Sequence, residues 1–285
     1  MQIHHTQTLV SSPKPFNLIH FSVKKTPKLN VAALGSRVLK ANEGLRCKNR
    51  NVICSAADRR SFDNDAKRKR KVVEHVCLLK GKGDLSEEQE KDMLDYLYTT
   101  QYQMGGRVSG GNDDKYSHSI YMRFQRKQDL LKFYENQFYV GVLRDHVVPY
   151  CHEIINADFE SEVEDDMLSI FRKGEEFNYG VELVLLIAFC KSSLDGPAED
   201  ALLALSKLTM DFPSLIVQAT IGSNFNISSA EYTHGVVIRF RSSEAFQMFM
   251  NSSEYNNMWR SKFQPIVQKH LSVHFSIDPV GTELM

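Results

Sequence analysis

The chain has 285 residues, 42% apolar and 25% charged, with 35 basic and 35 acidic side chains. That is room for two domains and a further segment, at an ordinary globular composition. No stretch approaches the roughly 18 apolar residues of a membrane-spanning helix, and the longest apolar run, Leu183–Cys190, reads as a buried strand. The neutral total hides an asymmetry. Residues 1–57 carry nine Lys/Arg and one acid, Glu43, which leaves 26 basic and 34 acidic side chains for the rest. A mildly acidic body is a poor electrostatic partner for nucleic acid.

In chain order, residues 1–57 are basic, acid-poor and rich in Ser, Thr and Asn, without sustained apolar periodicity. That composition reads as an organelle transit peptide. Val52-Ile53-Cys54-Ser55-Ala56 resembles a stromal processing site, so the expected address is the chloroplast, with mitochondrion or cytoplasm as the alternatives. Residues 58–70 form a basic lead-in whose run Lys67–Lys71 reads as a solvated approach to the first strand. Cys77, Cys151 and Cys190 lie beyond the leader, odd in number and without C-x-x-C spacing, which indicates free thiols.

The first domain is expected over 71–160. A strand runs Val72–Leu79, and a turn at Gly81–Asp84 leads to Ser86 and Gln89, spaced as a capping box. The helix buries Met93 and Leu97 and stops at Gly105-Gly106. Tyr116–Phe124 alternates, putting Tyr116, His118, Ile120, Met122 and Phe124 on one strand face. Short helices about Gln128–Glu135 and Gly141–Val148, Pro149 and a strand His152–Phe159 complete the unit. Residues 161–178 read as an acidic linker with Glu162, Glu164, Asp165 and Asp166, continuing the acidic run from Glu160. The second domain, 179–278, repeats the order: a strand Val181–Cys190, a helix starting near Asp195-Gly196-Pro197, a strand Tyr232–Phe240, Pro265 and a last strand near Leu271–Ile277, then a tail over 279–285.

The two units are copies. Residues 116–159 align with 232–275 without a gap, with nine of 44 positions identical, among them Tyr116/Tyr232, His118/His234, Arg123/Arg239, Phe133/Phe249, Tyr139/Tyr255 and Arg144/Arg260. Each reads β-α-β-β-α-β with the second helix split, an α+β ferredoxin-like sandwich. One bare sheet face per copy must be covered. Packing sheet to sheet makes an intramolecular α+β barrel, a pseudo-dimer within one chain.

These residues resemble a known family. The strand around His75, the Gly110-Gly111-Asn112 turn, Tyr116-Ser117-His118 with Phe124, Val140-Gly141 and Asp158-Phe159-Glu160, with Tyr232-Thr233-His234 and Phe240 in the second copy, are similar to the plant stress-response A/B barrel (Dabb) domain. The resemblance implies a stress-response or defence protein and, since single-domain members are homodimers, an internal pairing of the two repeats, with a further homodimer open. It also implies that a few relatives are enzymes without organic cofactor, among them the olivetolic acid cyclase, which uses a Tyr and a His on the split helix. Those positions fall here on Phe133 and Tyr139, and on Phe249 and Tyr255 in the second copy, so the cyclase pair is not carried over.

The candidate proton-handling groups are His75, His118 and His234, and the candidate ligand-lining residues are Tyr116, His118, Tyr139, Tyr232, His234 and Tyr255. The histidines either line a cavity in each half or are satisfied core histidines. His75 has Leu186 as its expected second-repeat counterpart, so symmetry does not support it as a ligand. Arg123, Arg239, Arg144 and Arg260 are expected to pair with buried carboxylates. No cofactor is expected and no metal site, although carbonyls near Gly105 could hold Mg2+. The expectation is a binding scaffold, non-catalytic or weakly so, for a small apolar or phenolic ligand. The alternative is a cofactor-free enzyme on a phenolic or polyketide-like substrate.

Overall fold

The computed structural model describes residues 69–104, 107–113, 116–164 and 180–277. The predicted leader with its processing site near Cys54, the Gly105-Gly106 helix stop with its carbonyls, residues 165–178 of the linker and the tail lie outside these residues. The first repeat consists of β1 (Lys69–Gly81), α1 (Glu87–Met104), β2 (Arg107–Asp113), β3 (Tyr116–Phe124), α2 (Lys127–Tyr134), α3 (Gln137–Val142) and β4 (Cys151–Glu164). The second consists of β5 (Gly180–Phe189), α4 (Pro197–Asp211), β6 (Ile216–Ser223), β7 (His234–Phe240), α5 (Ser243–Met250), α6 (Ser253–Met258) and β8 (Val267–Ile277).

Local chemistry explains the breaks. Ser86 and Gln89 form the reciprocal capping box, each side chain accepting from the other's backbone N–H at 3.2 and 3.0 Å. The second helix is split because Asn136 turns its side chain onto the N–H groups of Phe138 and Tyr139 and starts α3 at Gln137, four residues before the predicted Gly141. Ser252 does the same for α6 through the N–H of Tyr255. A single π turn follows in each copy, Leu143–Val147 and Trp259–Phe263.

The strands form two antiparallel four-stranded sheets, β4-β1-β3-β2 and β8-β5-β7-β6. Alternation along each strand sends one face to the helices and the other into the barrel. Outward, Val73, Cys77, Leu79, Ile120 and Met122 pack on Met93, Leu97, Leu130 and Phe133. Inward, Val76, Leu78 and Phe159 meet Val184, Leu186, Val237 and Phe275 of the other repeat. The barrel closes at two seams related by the repeat, one bridging Gly111 to Phe275 and one bridging Phe159 to Asn224. The second seam needs a bare backbone: a Cβ on Gly235 would lie 2.6 Å from the Phe159 ring.

A charged pair is buried inside the barrel. The Glu74 carboxylate is 0% exposed and accepts from Arg123 Nε at 2.9 Å. Burial pushes its carboxyl above the usual range, against the pull of the Arg123 guanidinium. Arg123 also donates to the Tyr121 hydroxyl at 3.0 Å and, across to the other repeat, to Gln218 Oε1 at 2.7 Å. On the other side Glu182 stands opposite Arg239 in the β5–β7 ladder.

Several expectations change. β4 runs on to Glu164, so Glu162 and Glu164 are strand residues paired with β1 rather than linker, and β1 itself starts at Lys69. β7 starts at His234, with Tyr232 in the turn before it, its N–H on Ser229 O at 3.0 Å. The Tyr116 ring joins the barrel interior, not the helix-side face of His118. The ladder puts His75 opposite Met122 and Leu183 opposite Ile238, so the counterpart of His75 is Leu183, not Leu186. Arg144 and Arg260 are solvent-exposed, Arg144 pairing with its neighbour Asp145 rather than with a buried carboxylate. They stand in the π turns, on the outer side of the helices.

Candidate functional site

The helix-side face of the first repeat holds a polar cluster in an apolar layer. His75 on β1 and Asp158 on β4 are cross-strand partners, 0% and 2% exposed. His75 Nδ1 lies 2.7 Å from Asp158 Oδ1. The Tyr134 hydroxyl, at the end of α2, donates to Asp158 Oδ2 at 2.8 Å and lies 3.1 Å from His75 Nδ1. Asn226 reaches in from the second repeat, donating to Asp158 Oδ2 at 2.6 Å and to the Tyr134 hydroxyl at 3.0 Å. Asn224 orients this arm, its Oδ1 accepting from the N–H of Asp158 and of Asn226. One atom is left over: His75 Nε2 is buried without a hydrogen-bond partner. A carboxylate on Nδ1 holds the proton there and leaves Nε2 as a bare acceptor. In the second repeat the same positions are Leu183, His274 and Met250, so nothing equivalent exists.

Phe133 and Tyr139, at the cyclase positions, pack ring to ring at 4.0 Å beside the His75 ring. Burial pushes the Tyr139 hydroxyl well above its ordinary range and that of Tyr255 to about 12. Both stay protonated near neutrality and cannot serve as bases there. Phe249 is fully buried against Tyr255.

His118 and His234 are held by one device used twice. The Thr233 hydroxyl donates its single hydrogen to Ile187 O at 3.0 Å and accepts from the Phe189 N–H at 3.2 Å. What remains is a lone pair, 3.0 Å from His234 Nδ1. His234 is therefore protonated on Nδ1 and presents a lone pair at Nε2. Ser117 treats His118 identically through Leu79 O and the Gly81 N–H. Burial lowers the pKa of both imidazoles.

Their surroundings differ. His118 is 7% exposed, with Nε2 3.8 Å from Glu90 on α1. Gly110 stands opposite it in the ladder. Opposite His234 stands Ser223, whose Oγ is 3.2 Å from Nε2. With the tautomer set by Thr233, Ser223 donates. Both residues line an open groove of about 600 Å³ between α4 and β6, with Leu194, Leu202 and Ile221 as apolar wall. His75 and His118 do not share a site: four ladder positions, about 13 Å, separate them.

Tyr116 and Tyr232 face the barrel interior. The Tyr116 hydroxyl donates to Glu153 at 3.0 Å, and the Lys269 ammonium sits 4.6 Å from the Tyr232 ring centre. The sequence reading missed Asp158, Tyr134, Asn226 and Ser223 as site residues. Only the Asp158-Phe159-Glu160 motif had drawn attention to one of them. Among the described residues no group of three or more His, Cys, Asp or Glu side chains converges as a metal site, and no helix is long and apolar enough to cross a membrane.

No protein-family model matches the chain. A stress-response A/B barrel domain-containing protein of Arabidopsis thaliana is 20% identical over 231 residues, covering 77% of this chain and 84% of that protein. Among solved structures, an anthrone oxidase-like protein superposes with a TM-score of 0.55 at 8% identity, covering 73% of this chain and 91% of its own. A putative chlorite dismutase gives 0.52 at 9% identity, covering 76% and 100%. At these identities the solved structures establish the fold alone.

Proposed function

We propose that this chain, a tandem barrel of the stress-response A/B type, is a small-molecule-binding scaffold whose ligand site is the groove between α4 and β6. The observation that carries this reading is an apolar wall, Leu194, Leu202 and Ile221, set beside the hydrogen-bonded pair Ser223 and His234 in one groove of about 600 Å³, with Lys69, Glu162 and Glu199 also on its lining. A pocket of that make-up suits a ligand with an apolar body and one oxygen function, such as an alkylphenol. The Phe/Tyr replacements in both copies argue against cyclase chemistry. Titrating the full chain with a panel of alkylphenols, followed by the ring resonances of His234, tests the proposal. Saturable shifts in the wild type, weakened at least tenfold by Leu203→Trp at the groove's exposed rim, are expected. No shift with any panel member overturns it.

A second reading, a cofactor-free enzyme, draws on His75, where Asp158 leaves a bare acceptor nitrogen in an apolar layer. The same proposal places the protein in the chloroplast, on the strength of the basic, acid-poor leader over 1–57. A fluorescent fusion of that segment tests the address, and diffuse cytosolic signal overturns it.

A further inference from the structure

The two histidine motifs are pinned alike, yet only one faces a hydroxyl. We infer that Ser223 and His234 form a nucleophile–base dyad that accepts acyl groups from small apolar esters bound in the α4–β6 groove. The inference rests on the groove being a ligand site and adds a covalent step to it.

The geometry meets the requirements of an activated serine in order. The nucleophile lies within hydrogen-bond reach of the base, with Ser223 Oγ 3.2 Å from His234 Nε2. The base is oriented by a third group, the Thr233 hydroxyl at 3.0 Å from Nδ1. That hydroxyl's two other bonds, to Ile187 O and from the Phe189 N–H, leave it no choice but to accept, so the tautomer is the one a general base needs. Ser223 is solvent-exposed and lines the groove, so an ester carbonyl can reach its Oγ. Leu194, Leu202 and Ile221 offer the surface for the ester's apolar part. The first repeat has the pinned imidazole but no nucleophile, because Gly110 occupies the ladder position of Ser223.

The step balances as ordinary acyl transfer. Ser223 Oγ bonds to the carbonyl carbon while its proton passes to His234 Nε2. The carbon–oxygen bond to the leaving alcohol then breaks, and His234 returns the proton to that alcohol. Water adds to the acyl-serine with His234 again as base, releasing the acid and restoring Ser223. Thr233 is neutral, so it orients the imidazole without a full charge to stabilise the imidazolium, and turnover is correspondingly slow.

The charged groups facing the groove are Glu199 from α4, Glu162 from β4 and Lys69 from β1, and the Phe189 ring meets His234 edge-on at 5.2 Å. Burial keeps His234 neutral down to below the ordinary histidine range, so reaction should fade only in mildly acidic solution.

The test uses the full chain with a fluorophosphonate probe, peptide mapping by mass spectrometry, and hydrolysis of p-nitrophenyl butyrate. The expected result is a phosphonate adduct on Ser223. Ser223→Gly, which installs the residue of the first repeat, should abolish it. His234→Gln should slow ester cleavage by about 10²- to 10⁴-fold, the usual worth of a positioned general base. Near-ultraviolet circular dichroism checks that each variant is folded. An adduct elsewhere, or cleavage unchanged in Ser223→Gly, overturns the inference. Alkylphenol binding without any adduct sinks the dyad and leaves the ligand reading standing. Loss of both binding and adduct sinks the two together.

Discussion

The two repeats hold the same imidazole in the same way and put different chemistry in front of it. Ser117 fixes His118 and Thr233 fixes His234 through matching bonds to a neighbouring strand. The cross-strand residue then decides: Gly110 leaves His118 to Glu90 on the adjacent helix, and Ser223 gives His234 a donor in an open groove. The fold builds the holder, and one side chain on the next strand sets what the holder is for. The polar cluster around His75 teaches the same thing in the other direction, because its second-repeat positions Leu183, His274 and Met250 hold no such network.

The largest effect should come from the buried Glu74–Arg123 pair. Arg123→Met leaves the Glu74 carboxylate in the barrel without its partner, which costs about 3–5 kcal/mol by urea unfolding. A midpoint unchanged within error would mean that Gln218 and Tyr121 alone satisfy that region. His75→Leu copies the second repeat into the first and deprives Asp158 of one of its three side-chain partners, for a cost of about 1–3 kcal/mol. A neutral result would show that Tyr134 and Asn226 suffice to hold the carboxylate.

A pH dependence should follow, smaller than either. Both pinned histidines have folded pKa values below their unfolded ones, so the unfolded chain binds more protons near pH 6. Their stabilising contribution is present above the ordinary histidine range and is lost as pH falls through it. Urea midpoints at pH 7.5 and 5.5 check the sign, and the difference should shrink in the His118→Gln, His234→Gln double variant. The smallest effect on stability belongs to Gly110→Ser. An added Cβ meets nothing within 4 Å there, so the change should stay within about 0.5 kcal/mol. It should nevertheless bring fluorophosphonate reactivity to position 110, opposite His118. A stable but inert variant would assign the difference to the groove rather than to the hydroxyl.

Much of the frame could be read in the linear chain because it depends on short range. The Ser86–Gln89 box spans three residues, strand alternation has a period of two, and the gapless alignment of 116–159 with 232–275 announced the repeat. His118 and His234 stood out because the repeat made them a pair. Ser223 could not be found that way. In sequence, Gly222 aligns with Gly110. The strand ladders differ from that alignment by one residue, so that Ser223, not Gly222, faces the histidine. The first strands lie outside the gapless alignment, and Leu186 was expected in place of Leu183 for that reason.

The amino-acid sequence by itself determined that this protein is two α+β units of one kind, where the first helix of each unit starts, and that one face of the strands is apolar. Those are decided by backbone capping and by burying one side of each element. Only the tertiary structure decided which side chains meet. Asp158 reaches His75 across 83 residues because β4 pairs with β1, and Asn226 reaches Tyr134 across 92 because closing the barrel brings β4 against the end of β6. Such contacts depend on strand register and on how two sheets seal, and neither leaves a local pattern in the chain.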